Sequence, residues 1–335
     1  MIPSRALVHR VRRHVKAGVD GALGWLAVGM LRTIRATNRK HMADFAGSFM
    51  RTLGPRLKEH KIGHANLAAA FPEKSPAEIE TILRGVWDNL GRVAAEFAHI
   101  DRLQMFDPDP QEIGDIVYSS EVDKRFRQLR CDGKPALVFA AHLANWELPA
   151  LIAAKYRLDT TVLYRQPNIA AVSDAIIQIR KGSMGTLVPT SLDAPFKLLR
   201  VLEAGGHVAM IVDQHYVNGV DVTFFGRRCK ANPFLARLAR HVDCPIYGTR
   251  IIRLPDRHRF RVDLTEAIEP PRDADGKIDI EGTMQAITSV VEGWVREYPE
   301  QWLWMHRRWR PKMISATALA EFDHTRATTP VFKAT

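Results

Sequence analysis

The chain has 335 residues, 46% hydrophobic and 25% charged, long enough to bury a sizeable core in one large domain or two. Its formal charge of +11 is uneven, with thirteen Lys/Arg against three Asp/Glu in residues 1–61 and 35 against 34 in the rest. Cys131, Cys229 and Cys244 are odd in number and lack CxxC spacing, which speaks for a reducing compartment and excludes a disulfide framework or a cysteine zinc site.

The N-terminal segment holds the longest uncharged apolar stretch, Gly21 to Leu31. As a helix it reaches only ~16 Å at ~1.5 Å per residue, about half of the ~30 Å hydrocarbon core of a bilayer. Arg12, Arg13 and Lys16 precede it, and Arg32, Arg35, Arg39 and Lys40 follow. Basic flanks around a short apolar helix suit a segment lying in an anionic membrane surface. A secretory signal needs a cleavage site that is missing here. A nucleic-acid arm needs interleaved aromatics and a recognition motif, so no nucleic-acid partner is expected.

Further along, Ser75-Pro-Ala-Glu78 is a capping box with proline at the first helical position. It opens a helix whose apolar stripe runs Ile79, Ile82, Leu83, Val86, Leu90, Val93 and Phe97. Asp107-Pro-Asp-Pro110 breaks the chain, and Asp132-Gly-Lys-Pro135 turns it into a strand over Ala136 to Ala141. Strands are expected at 161–164, 186–188, 208–212, 246–252 and 260–264, with a last short one around Trp302 to Trp304. Helices fill the gaps near 169–180, 195–203 and 280–298. The alternation predicts an α/β fold, a mixed central sheet flanked by helices. The organisation follows as a membrane-associating segment at 1–61, a catalytic domain at 62–311 and a tail at 312–335.

The first predicted strand stops at His142, and Glu147 follows on the first turn of the next helix. Such a pair can act as a base and its orienter, the acid holding the tautomer and stabilising the imidazolium. No serine or cysteine sits in the run, so the nucleophile is expected to be a substrate hydroxyl. The spacing alone occurs by chance in many proteins, and a lone buried histidine is usually a core residue. Convergence raises its weight. Arg165 follows the second strand and Asp213 ends the strand Val208 to Val212, and open α/β sheets bind ligands at the carboxyl ends of strands. A metal-dependent hydrolase using His142 and Glu147 as ligands is the rival from another class. It needs a further ligand, and no HExxH pattern is present.

These residues resemble the late acyltransferases of lipid A biosynthesis, the lauroyl/myristoyl transferase type, within the glycerolipid acyltransferase superfamily and its His-x4-Asp/Glu motif. The likeness spans roughly 66–311 and includes His142-Leu-Ala-Asn-Trp-Glu147, Tyr164-Arg-Gln-Pro-Asn168, Ile179-Arg-Lys-Gly182, Asp213-Gln214, Thr223-Phe-Phe-Gly226 and the block Pro299 to Pro311. The resemblance implies acyl transfer from acyl carrier protein to a hydroxyl of a lipid A precursor, at the cytoplasmic face of the inner membrane. It implies His142 as general base, Glu147 as orienter and Arg180 as oxyanion stabiliser, with Arg165, Asp213 and Gln214 lining the site. His306, Arg307 and Arg308 become candidates for substrate contact, beside the plainer reading of a solvated basic face. Neither a metal nor another cofactor is expected, because a thioester is already activated. The chain departs from the family pattern at its short N-terminal apolar segment and at Arg227-Arg-Cys-Lys230 after Gly226. A related transferase acting on a lysophospholipid, a glycolipid or an ornithine lipid remains the alternative.

Overall fold

The strand that carries His142 lies in the middle of a seven-stranded sheet. The computed structural model describes residues 21, 24–105, 114–166 and 170–309. The N-terminal helices are α1 over 24–35, α2 (Arg39–Leu53), α3 (Lys58–Ala70) and α4 (Pro76–Phe97). Next come β1 (Ile116–Val117), α5 (Ser120–Cys131), β2 (Ala136–Ala140), α6 (Leu148–Lys155), β3 (Thr160–Tyr164) and α7 (Ala170–Lys181). They are followed by β4 (Thr186–Pro189), α8 (Ala194–Glu203), β5 (His207–Ile211), β6 (Val220–Phe224) and β7 (Arg227–Ala231). The order ends with α9 (Phe234–Val242), β8 (Ile246–Arg253), β9 (Phe260–Leu264) and α10 (Ile280–Glu297).

The sheet order is β1-β9-β8-β2-β5-β3-β4. The five strands from β8 to β4 are mutually parallel, whereas β9 pairs antiparallel with β8 and β1 parallel with β9. The predicted mixed α/β sheet is therefore the observed one. Both faces of a parallel sheet must be covered, and here they differ in bulk. Leu137, Phe139, Val208 and Met210 join a core with residues of α4, α8, α9 and α10. The alternate residues Val138, Ala140, Ala209 and Ile211 are on the side of α6 instead, where they line a cavity, the first three with small side chains.

Trp302 to Trp304 is not a strand. Trp302 makes one isolated bridge to Leu143, and Pro299–Gln301 is a short 3-10 turn. Both indoles are fully buried in an aromatic cluster with Phe224, Phe225 and Trp309. Phe224 and Phe225 arrive on the β6–β7 hairpin, which sequence reading passed over. Its two loop residues, Phe225 and Gly226, have φ of 52° and 68°, as a type I′ turn requires. Val220, Val222 and Phe224 alternate, which was the available signal.

The segment assigned to membrane association divides. Residues 1–20, with the first basic cluster, lie outside the described residues, as do 106–113, 167–169 and the tail after 309. By contrast α2 packs along α4, where Arg92 binds Asp44 at 2.8 Å and Asp88 at 2.8 Å. Arg39 pairs with Asp115. A boundary at residue 61 therefore cuts through a packed unit. Among the described residues no helix is long and apolar enough to cross a membrane.

Gly91 lets α2 and α4 touch, since a Cβ there would lie 2.2 Å from the Ala46 carbonyl oxygen. Gly91→Ala is expected to push the helices apart and cost roughly 1–3 kcal/mol, as overpacking generally does. Denaturant unfolding measures this, and an unchanged midpoint would mean that α2 is only loosely seated.

Candidate active site

At the end of β2 the chain turns sharply through Ala144, whose φ is 48°. This turn is fixed from below by a buried polar network. The Glu96 carboxylate, fully buried, accepts from Arg253 Nη1 at 2.5 Å, Arg253 Nη2 at 3.0 Å and Asn145 Nδ2 at 3.0 Å. Asn89 accepts from Arg253 Nε and donates to the Ala144 and Gln301 carbonyls. The Ala144 amide donates to Gln301 O at 2.8 Å, and Leu303 N donates to His142 O at 3.1 Å. The asparagine of the His-Leu-Ala-Asn-Trp-Glu run is thus a brace for the loop.

Held this way, His142 meets Asp213. The β2 and β5 strands are neighbours, with Ala140 opposite Ile211, so their ends bring together residues 71 apart in sequence. Asp213 Oδ1 lies 2.7 Å from His142 Nδ1, and Oδ2 accepts the His142 amide and Trp302 Nε1, each at 2.7 Å. Burial opposes an ionised carboxylate, but the His142 charge and hydrogen bonds outweigh it and hold Asp213 well below the usual range. Burial likewise opposes the imidazolium, and Asp213, with a smaller contribution from Glu147, raises the His142 pKa above its ordinary value. A carboxylate only accepts, so Nδ1 carries the proton and Nε2 keeps its lone pair. The Gln214 amide nitrogen is 3.5 Å from Nε2.

The orienter assignment is therefore corrected. Glu147, at the N-cap of α6, does not bond His142 but binds Arg180 through Nε at 2.9 Å and Nη2 at 2.6 Å. Arg180, near the end of α7, also lies over the rings of Phe97 and Tyr164 at 5.6 and 5.7 Å. The remaining guanidinium nitrogen, Nη1, has no protein partner among the described residues. The acid of the motif positions an arginine, and the acid that orients the histidine comes from another strand.

His142, Glu147, Arg165, Arg180 and Gln214 all line one cavity of about 640 Å³. Of the three groups expected at strand ends, His142 and Arg165 line this cavity and Asp213 lies directly behind His142. The C-terminal basic cluster does not join them. Arg308 is 2% exposed, donates to the Lys230 carbonyl at 2.8 Å and lies over Phe224. Its placement is that of a brace, since Nη1 ties the Gln214 and Lys230 carbonyls together and the side chain does not line the cavity. His306 is tied to Leu303 O at 2.7 Å and packs edge-on against Trp302. Burial drives its pKa below the ordinary value. Arg307 is exposed and lines no part of the cavity. Trp302 was expected only as part of a short strand; its indole N–H is the contact on Asp213 that sequence reasoning missed. No three His, Cys, Asp or Glu side chains are grouped as metal ligands among the described residues.

Residues 12–311 match the family described as bacterial lipid A biosynthesis acyltransferase. The chain belongs to that family. No curated protein is similar enough to match. In this lipid A biosynthesis acyltransferase the histidine thus sits between a buried carboxylate and an open cavity.

An NMR titration of the His142 ring is expected to give a pKa above the ordinary ~6.5. In Asp213→Asn the largest group that raises it is gone, so the pKa should fall, and in Glu147→Gln it should fall less. An Asp213→Asn variant with an unmoved His142 titration would refute the pairing.

Proposed function

We propose that this acyltransferase moves a fatty acyl chain from an acyl-carrier-protein thioester to a hydroxyl of a lipid A precursor. The observation that carries this reading is the His142–Asp213 pair placed at one end of an apolar cavity. Nε2 of His142 takes the proton of the acceptor hydroxyl as its oxygen attacks the thioester carbonyl carbon. The tetrahedral intermediate collapses, the C–S bond breaks, and the departing thiolate takes the proton from Nε2. Asp213 holds the tautomer and stabilises the imidazolium during the step. Arg180, fixed by Glu147, has Nη1 available as a donor to the developing oxyanion, where pre-organised positive groups contribute most. Its bidentate pairing with Glu147 means no reorganisation is needed as the charge forms. Exposed Arg165 and Lys181 suit the phosphates of the acceptor and the acidic carrier protein.

The reading extends to the cytoplasmic face of the inner membrane. At the carboxyl edge of the sheet, where β4 and β5 end, Leu192 is 98% exposed and Phe196 71%. Tyr216 and Val217 are also exposed in the chain after β5. Trp25, Leu26 and Met30 on α1 add apolar surface, with basic residues around them. Exposed apolar clusters of this kind mark lipid or protein contacts, and an anionic lipid surface is the partner both features fit. A lysophospholipid, glycolipid or ornithine lipid acceptor uses the same base, and mass spectrometry of the acylated product distinguishes them.

His142→Ala, with its fold checked by circular dichroism, is expected to lose roughly 10²–10⁴-fold in transfer from acyl carrier protein, the typical worth of a positioned base. Near-normal turnover would remove His142 from the mechanism. In flotation with anionic vesicles, 1 M salt should loosen binding without abolishing it, because the Debye length shrinks to ~3 Å while apolar contacts persist. Leu192→Asp combined with Phe196→Asp should weaken the salt-resistant part by about tenfold or more. An intact chain that never floats would defeat the membrane reading.

A further inference from the structure

The cavity beneath α6 has two ends of unlike chemistry. His142 stands at one. At the other, along the same strands, lies His207, the first residue of β5 and the register partner of Ala136 and Thr160. From His207 to Ile211 the strand covers ~13 Å at ~3.3 Å per residue. His142 lies beyond the level of Ile211, since it follows Ala140, the partner of Ile211, by two residues. Between the two histidines the sheet presents Val138, Ala140, Val162 and Ala209, small side chains that leave a slot for a hydrocarbon.

His207 is 6% exposed and lines this slot. Its Nδ1 is 3.3 Å from the Asp159 carbonyl, which only accepts, so Nδ1 carries the proton and Nε2 a lone pair. Buried Nε2 has no hydrogen-bond partner among the described residues. Nothing in the chemistry at His142 uses it. An unpaired buried acceptor at the end of a slot lined mainly by apolar side chains, with Thr160 beside it in register, is costly unless something donates to it.

We propose that His207 is a specificity-determining residue, a polar stop that sets the longest acyl chain the cavity accepts. This rests on the acyl-transfer reading of the same cavity. A methyl terminus pressed against Nε2 excludes water and offers no donor. A chain ending one or two carbons earlier leaves space for a water to donate to Nε2. Chain length is then limited by the cost of stripping an imidazole of its partner as well as by the space at the end of the slot.

The test uses the full chain and a graded series of saturated fatty acids, decanoate to stearate, displacing a fluorescent fatty-acid probe. Wild-type protein should show affinity that rises with length and then falls at a cut-off. His207→Leu and His207→Phe both remove the acceptor, and Phe keeps a ring in place. Each should move the cut-off to longer chains, with affinity for the first excluded chain rising about tenfold, the usual scale for relieving one unpaired buried polar atom. His207→Gln restores a polar group and should keep the wild-type cut-off. An unchanged cut-off in both apolar variants overturns the proposal. So does a shift in Leu alone, which would make the limit one of space, or a wild type that binds no fatty acid. Transfer assays with carrier-protein thioesters of the same lengths separate the two levels. Binding with a movable cut-off but no transfer would sink the acyl-transfer reading and leave the polar stop standing.

Discussion

A single buried carboxylate ties the site together. Asp213 is 3% exposed, and an ionised group in such surroundings is stable only when its lone pairs are occupied. Three donors occupy them, two from His142 and one from Trp302. The carboxylate therefore joins the end of β2, the end of β5 and the C-terminal aromatic block at one point. Glu96 performs a similar service on the other side of the loop, with Arg253 and Asn145 as its donors. The turn after β2 is thus bracketed by two satisfied anions, and breaking either by removing a partner would strand a buried charge, typically worth ~3–5 kcal/mol.

The division of labour between the two acids follows from geometry. Glu147 is near His142 along the chain, but the tight turn at Ala144 and the start of α6 deliver its carboxylate to Arg180. Asp213 is distant along the chain, yet parallel pairing of β2 with β5 puts it directly behind the imidazole. A buried, fully bonded anion is the better orienter, because it holds one tautomer. A carboxylate paired with arginine through Nε and Nη2 anchors the guanidinium and leaves Nη1 outside the pair. Glu147 still contributes to the histidine through space, as its smaller part in raising the His142 pKa shows.

Much of the frame was legible in the sequence, and the reasons are local. The five parallel strands appear as short apolar runs between turn residues, and α4 announces itself through the Ser75 capping box, which is present on both sides. The order of the strands is set by packing between remote segments, so no local pattern assigned Asp213 to His142 rather than to Arg165. Helix α5 left a signal that went unread, Val122, Phe126 and Leu129 on one face behind a Ser119 cap. Helix α3 left little, because its burial depends on α4 and the aromatic block. The tryptophans at 302 and 304 alternate as strand residues do, but burial in an aromatic cluster produces the same pattern. Arg308 looked like part of a basic surface because sequence cannot tell an exposed guanidinium from one committed to backbone carbonyls.

The wide spacing of the partners around Asp213 bears on how the enzyme comes into being during synthesis. His142 and Asp213 are 71 residues apart, and Trp302 follows Asp213 by another 89. Contacts of such separation close late, since large loops must be ordered before any of them is rewarded. A nascent chain that has emerged only past α6 carries the histidine without its carboxylate. One that has emerged past β5 carries the pair without the indole that completes it. The set of contacts that fixes Asp213 behind His142 is therefore complete only when nearly the whole domain has left the ribosome.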